Sequence, residues 1–363
     1  MGFVNRPRRF IIAGLALILC IGAISEAPGL QAAAETLPSR LTDLQFWSMI
    51  EKFSEPDGYF RSDNLLSNED GIQSVIPDLL MRTRRGGVYM GVGPEQNFTY
   101  IASLRPKMAF IIDIRRGNMH IQLMYKALFE LSKDRAEFVA LLFSRKRPDG
   151  LDSTSTAADI FHAYSNVQRS DETVYKKNLK LIQDLLVKKH DFPISSDDLA
   201  EIGNTYYYFY QFGPNINYSS SGQSFGGRGR GFVTYSTLMT GTDEDGVSRS
   251  YLANEENFKI VKDLEEKNLI VPLVGDFAGP RAIRAVGKYL KDHEATIAAF
   301  YLSNVEQYLG GDWINFCSSV ASLPLDETST FIRASRGGSR RFGRGLTTSL
   351  GAMKSETQAC QNK

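Results

Sequence analysis

An α/β fold, a parallel sheet between helices with a mainly helical insertion, is what this sequence predicts. Residues 87–113, GVYMGVGPEQNFTYIASLRPKMAFIID, read as strand, glycine turn, helix, second strand and a closing acidic residue, the order of a nucleotide-type βαβ unit. Helix and strand patterns alternate again over 255–334, which implies crossovers in a parallel sheet. Between the two, residues 134–213 keep helical apolar spacing.

Residues 1–34 carry Arg6, Arg8 and Arg9, an apolar run over 10–24, and Ala32, Ala33 and Ala34 before Glu35, the pattern of a secretory signal peptide. The run is shorter than the roughly 20 residues of a transmembrane helix. Cleavage and export to a bacterial periplasm are expected, with no stable membrane anchor left. Bulky Leu19 before Cys20 speaks against lipidation. Without residues 1–34, the 42 basic and 41 acidic side chains become 39 and 40, a net charge of −1. A near-neutral chain has no general attraction for nucleic acid or an anionic membrane. The Arg/Gly stretches at 224–232 and 336–345 are therefore read as solvated loops. The mature cysteines are Cys317 and Cys360; their pairing is left open, and the polar tail around Cys360 speaks against it. The four histidines stand far apart, so no Cys/His metal site is expected.

Leu41, Leu44, Trp47, Ile50 and Phe53, at intervals near three, predict a helix over 41–53. A loop of turn formers, SEPDGYFRSDNLLSNE, fills 54–69, and a helix over 72–84 completes an N-terminal segment, 35–85. The sheet's first half, 86–133, comprises a strand at 88–90, a helix at 97–104, an apolar strand at 108–112 of the kind buried on both faces, and an amphipathic helix at 119–131. Helices at 135–144, 157–165, 172–189 and 196–212 make up the insertion, 134–231, which ends in a glycine-rich loop. The second half, 232–336, opens with alternating β character over 232–239. Helix 255–267, strand 269–274, helix 280–292, strand 296–302, helix 313–320 and strand 328–334 follow. Residues 337–363 have the polar, glycine-rich composition of a disordered tail.

Gly91 and Gly93 form a G-x-G turn after the first strand. Such a turn lets backbone approach a ligand closely, and the following helix offers free N–H groups. Asp113 closes the second strand 22 residues after Gly91, where this kind of fold accepts hydrogen bonds from a ribose diol. Ligands of open parallel sheets bind beyond the carboxyl ends of the strands. That edge is expected to carry Glu95, Gln96 and Asn97, then Asp276, and then Ser303, Asn304 and Glu306. Glu95 with Asp276 or Glu306 would make a carboxylate pair for acid–base work or a divalent-ion site; alternatively these polar residues cap helices, with Asn97 and Asn304 as the N-caps. The loop 54–69 would cover the same edge and bring Arg61 to an anionic ligand, or satisfy itself through Asx turns. Tyr206, Tyr207, Tyr208, Phe209 and Tyr210 would spread around a helix and serve the insertion's core.

VYMGVGPEQ and FIIDIRRGNM resemble the first strand, G-x-G-x-G turn, second strand and acidic residue of the class I S-adenosylmethionine-dependent methyltransferases. The resemblance covers 86–131 and makes the expected fold a Rossmann-like αβα sandwich of methyltransferase type, with VPLVGDF and AFYLSNVEQY as its fourth and fifth strands. It implies S-adenosylmethionine, or another nucleoside-type ligand, held by Gly91, Gly93, Glu95, Gln96, Asn97 and Asp113. Arg61, Asp276, Asn304 and Glu306 would lie nearer a substrate. The chain differs from that pattern in Tyr89, where an acidic residue precedes the turn, and in Glu95, which replaces the third glycine. Over most of 40–335 it is similar to a family of uncharacterised bacterial proteins carrying VGPEQNFTYIA and IDIRR. Three classes of function stay open: a methyltransferase-related enzyme, a periplasmic ligand-binding protein without chemistry, and an envelope interaction protein with a degenerate cofactor site.

Overall fold

The computed structural model describes residues 1–2, 36–222, 233–336 and 346–360. The expected signal peptide and the Arg/Gly stretches lie outside these residues, apart from Met1, Gly2 and the backbone of Arg336.

Thr42 opens α1 (Asp43–Phe53) with a reciprocal capping box to Gln45. Helix α2 (Ile76–Arg82) starts with Pro77 in its first turn, where a missing N–H costs nothing. The βαβα unit follows as β1 (Val88–Val92), α3 (Gln96–Leu104), β2 (Met108–Asp113) and α4 (Arg116–Leu131). The insertion contains α5 (Arg135–Leu142), α6 (Ala157–Ser165), α7 (Glu172–Asp184) and α8 (Ser196–Phe212). Each is opened by a side-chain oxygen, from Asp134, Thr156, Asp171 and Ser195 respectively, accepting from a first-turn N–H. Helix α7 runs into a π turn at Leu185–Lys189, after which Lys189 and His190 both reach Glu130 on α4. Then come α9 (Tyr235–Thr240), α10 (Glu255–Glu266), β3 (Ile270–Val274), α11 (Ala282–Asp292), β4 (Ile297–Ser303), α12 (Glu306–Leu309), α13 (Trp313–Ala321), β5 (Thr330–Arg336), β6 (Leu346–Ala352) and α14 (Met353–Thr357).

The six strands form one sheet in the order β3-β2-β1-β4-β5-β6, parallel except for the antiparallel β5–β6 pair. This is an α/β architecture with a mostly parallel sheet, consistent with a Rossmann-like fold, and β1 and β2 are neighbours as the sequence predicts. β1, β2 and β3 are buried along their whole length, which is why their sequences run apolar without alternation. Helices α3, α4 and α10 pack on one another, as do α11 and α13. Phe110 of β2 meets Phe53 of α1 and Tyr289 of α11 through ring contacts. Among the described residues, no helix is long and apolar enough to cross a membrane.

Three expectations are corrected. Residues 235–240 are helical, not a strand: Thr234 caps the turn by accepting from the Thr237 N–H, and Tyr235, Leu238 and Met239 bury one helical face. The tail is ordered over 346–360, because β6 finds its ladder on β5 and Cys360 is bonded to Cys317 of α13. VPLVGDF and AFYLSNVEQY hold the third and fourth strands in chain order, so Asp276 follows the outermost parallel strand while Ser303 and Asn304 lie next to β1.

Candidate functional site

The strand order reverses between β1 and β4, the place where ligands of open α/β sheets bind. A cavity of about 320 Å³ opens there, bounded by the carboxyl ends of β1, β2, β3 and β4 and by the loop 59–69. Its volume is at the lower end of the roughly 300–1,000 Å³ typical of small-molecule sites. Five aromatic residues line it, Tyr59, Phe60, Tyr218, Phe277 and Tyr308. The Gly93 turn, Gln96, Asn68 and Glu69 also line it.

That turn is held from behind by three carboxamides. Asn97 Nδ2 lies 2.8–3.0 Å from the carbonyls of Val92, Gly93 and Pro94. Gln122 of α4 donates to Gly93 O, and Gln96 donates to Val92 O. The Tyr89 hydroxyl donates to Asn97 Oδ1 at 2.9 Å. Asn97 is thus a buried staple and not the N-cap of α3, whose cap position is Glu95 with no side-chain cap bond. Gly91 is required by the same staple, since a Cβ there would overlap Asn97 Oδ1 and press on the Tyr89 ring. Gly93 differs. Its φ is +78°, and the nearest atom to an added Cβ is Gln96 Nε2 at 3.1 Å, so it is the glycine that leaves room for a ligand.

Glu69 is the feature that the sequence did not single out as a site residue. It is fully buried in the cavity wall. Its Oε1 accepts from the Tyr301 hydroxyl at 2.6 Å and from Ser303 Oγ, while Oε2 has no partner. Gln96 Oε1 is buried and unpartnered in the same wall. Burial pushes the Glu69 carboxyl up, against the lowering bonds from Ser303 and Tyr301. Glu95 lies behind the turn, fully buried, accepting from Ser67 N–H at 3.2 Å. Burial, with the nearby Glu69 adding to it, raises Glu95 to about 8, so it is uncharged at neutral pH.

The expected site residues divide accordingly. Gly93, Gln96, Asp113, Asp276 and Asn304 line the cavity. Gly91, Glu95 and Asn97 support the turn. Asp113 accepts at Oδ1 from the Arg115 backbone N–H and Nε, and at Oδ2 from Arg115 Nη2, so its carboxylate is already engaged. Glu306 does not reach Glu95; it pairs with Arg333 of β5. Asp276 accepts from the Ala278 N–H. Arg61 stands over the Tyr308 ring, 5.8 Å from its centroid, outside the cavity lining. Asn304 is not the α12 cap, a position held by Val305. Ser67 links Glu95 to the Glu69 backbone instead: its N–H donates to the Glu95 carboxyl and its Oγ accepts from the Glu69 backbone N–H. Among the described residues no group of three or more His, Cys, Asp or Glu is placed to hold a metal ion.

Residues 65–191 and 217–360 match a family described as a domain of unknown function (DUF7790). The chain belongs to this family. The matched segments contain Glu69, the turn after β1, Asp113 and Ser303, whereas Tyr59, Phe60 and the whole of α8 lie outside them. No curated protein matches the chain.

Proposed function

We propose that this protein binds a small nucleoside-type molecule at the carboxyl edge of β1 and β4, and does so in the bacterial periplasm after removal of residues 1–34. The observation that carries the reading is the pair of buried, unpartnered oxygens, Glu69 Oε2 and Gln96 Oε1, on two residues that line the cavity at the switch point. A buried acceptor without a donor costs about 1–3 kcal/mol, a cost that a ligand N–H or hydroxyl relieves. The aromatic residues of the lining offer ring surface to a planar base. The Cys317–Cys360 disulfide supports export, because such bonds persist in oxidising compartments.

S-adenosylmethionine fits these residues incompletely. Asp113, where the methyltransferase resemblance puts the ribose contact, is engaged by Arg115. Glu95 does not repel an incoming carboxylate, since it is buried behind the turn and protonated at neutral pH. With Asp113 engaged by Arg115 and not free for a ribose, these residues support binding and not methyl transfer.

Calorimetric titration of the protein with adenosine, other nucleosides and S-adenosylmethionine tests the reading. Saturable binding of a nucleoside at one site, weakened by Gln96→Leu, is expected. Absence of heat with every nucleoside would sink it. The export half is tested by N-terminal mapping of the protein from its native cell, which is expected to start near Glu35.

A further inference from the structure

A second cavity, of about 520 Å³, lies on the other side of the loop 57–65 and shares Tyr59, Phe60 and Arg115 with the first. Its ionisable lining is mainly acidic: Asp57 and Asp63 from the loop and Glu201 from α8. The guanidinium of Arg115 is spent on Asp113. Tyr207 and Tyr208 of α8 add aromatic faces, so the tyrosine run expected to serve only the core is split: Tyr206, Phe209 and Tyr210 are buried and the other two line this cavity.

His120 of α4 also lines it and is only 4% exposed. Its Nε2 lies 2.7 Å from Asp198 Oδ1. Asp198 also accepts from Arg116 Nε and Nη2 and from Ser195 Oγ, and the Arg116 bonds above all hold its carboxyl well below the usual range. An ionised Asp198 accepts and cannot donate, so the proton of a neutral His120 sits on Nε2 and Nδ1 is a bare acceptor. Burial keeps the ring neutral by pulling its pKa down. Nδ1 has no partner.

We propose that this second cavity is a separate binding site for a small cation bearing N–H donors, an alkylammonium or guanidinium compound, with His120 Nδ1 accepting from it. The carboxylates of Asp57, Asp63 and Glu201 supply the charge, and the tyrosine rings supply cation–π faces. The N–H requirement separates this ligand class from quaternary ammonium ions, which the acidic and aromatic groups attract but His120 cannot recognise. The site stands independently of what the first cavity holds.

Calorimetric titration of the full-length protein at low salt with agmatine and with tetramethylammonium tests it. Agmatine should bind saturably and more tightly than tetramethylammonium. His120→Phe should weaken agmatine by about tenfold, the loss of one charge-assisted hydrogen bond, and leave tetramethylammonium unchanged. Asp198 keeps its bonds to Arg116 and Ser195 in that variant. Glu201→Gln, on an exposed position, should weaken both cations. In the wild-type protein, the nitrogen resonance of His120 Nδ1 should shift on adding agmatine, a readout that does not depend on any variant folding. No saturable agmatine binding, an unmoved Nδ1 resonance, or an affinity indifferent to His120→Phe would each overturn the proposal.

Discussion

Asp113 and Arg115, two residues apart at the end of β2, close on each other through three hydrogen bonds of 2.9–3.1 Å, with side chains only 5% and 10% exposed. Arg115 Nη1 donates onward to the carbonyl of Asp63, so the pair ties the loop over the cavity to the sheet edge. Asp113→Asn should therefore act on stability first. Losing the charge on one side of this buried pair costs about 1–3 kcal/mol, visible as a lower thermal midpoint without any ligand present. An unchanged midpoint would show that the aspartate is free for ligand.

The two glycines of the turn should separate cleanly. Gly91→Ala forces a Cβ into Asn97 Oδ1 and Tyr89, and overpacking of this kind costs about 1–3 kcal/mol. Gly93→Ala costs about 1–2 kcal/mol for its positive φ, and its methyl group, 3.1 Å from Gln96 Nε2, pushes that side chain slightly aside where the ligand is placed. Chemical denaturation and nucleoside titration on both variants check this: Gly91→Ala should lose stability, and Gly93→Ala should lose affinity beyond its loss of stability.

Glu95 gives a pH dependence with a definite sign. Its folded value of about 8 is above the ordinary 4.5, so the folded chain holds this proton more tightly than the unfolded one. The corresponding stability is complete below about pH 4.5 and is lost as pH rises through about 8. Glu265, raised to about 8 mainly by burial, acts in the same direction. His120 acts oppositely, its lowered value costing stability as pH falls. The comparison that isolates Glu95 is therefore wild type against Glu95→Gln. Between pH 5 and pH 8 the wild type should lose stability relative to the variant, as measured by urea denaturation at several pH values. A constant difference over that range would show that Glu95 is not protonated in the folded chain.

The Cys317–Cys360 bond joins residues 43 apart in sequence, a loop whose closure is worth about 4 kcal/mol in the chain-entropy account. Reduction, or Cys360→Ala, should lower stability by roughly that amount. Deprotection should concentrate in β6 and α14, which hydrogen exchange would reveal. Uniform deprotection across the sheet would argue against this localised role.

The βαβ unit was legible because apolar runs buried on both faces leave little choice of structure. The strand order was not: nothing local in VPLVGDF says that it lies outside β2 rather than beside β1. Over 232–239 the alternation read as strand, because a short helix starting at Thr234 depends on its cap and on three buried side chains that the periodicity of so few residues does not reveal. LTTSLGA is too polar to announce a strand, and its pairing with β5 decides the matter. Among the residues that line the cavity, Gly93 followed from the G-x-G turn, and Gln96, Asp113, Asp276 and Asn304 from the rule that ligands sit beyond the strand ends. Glu69 did not, since what holds it in the cavity wall is Tyr301, 232 residues away. Its loop position among Asn64, Asn68 and other turn formers was the one signal present.

The central claim, a nucleoside-type ligand held between β1 and β4, is tested most directly by a crystal structure of the protein soaked with adenosine. Density is expected against the Gly93 turn, with a ligand hydroxyl or amino group within hydrogen-bond distance of Glu69 Oε2 or Gln96 Oε1 and the base against the aromatic residues of the lining. A cavity that stays empty at saturating adenosine, or a nucleoside bound elsewhere on the protein, would contradict it.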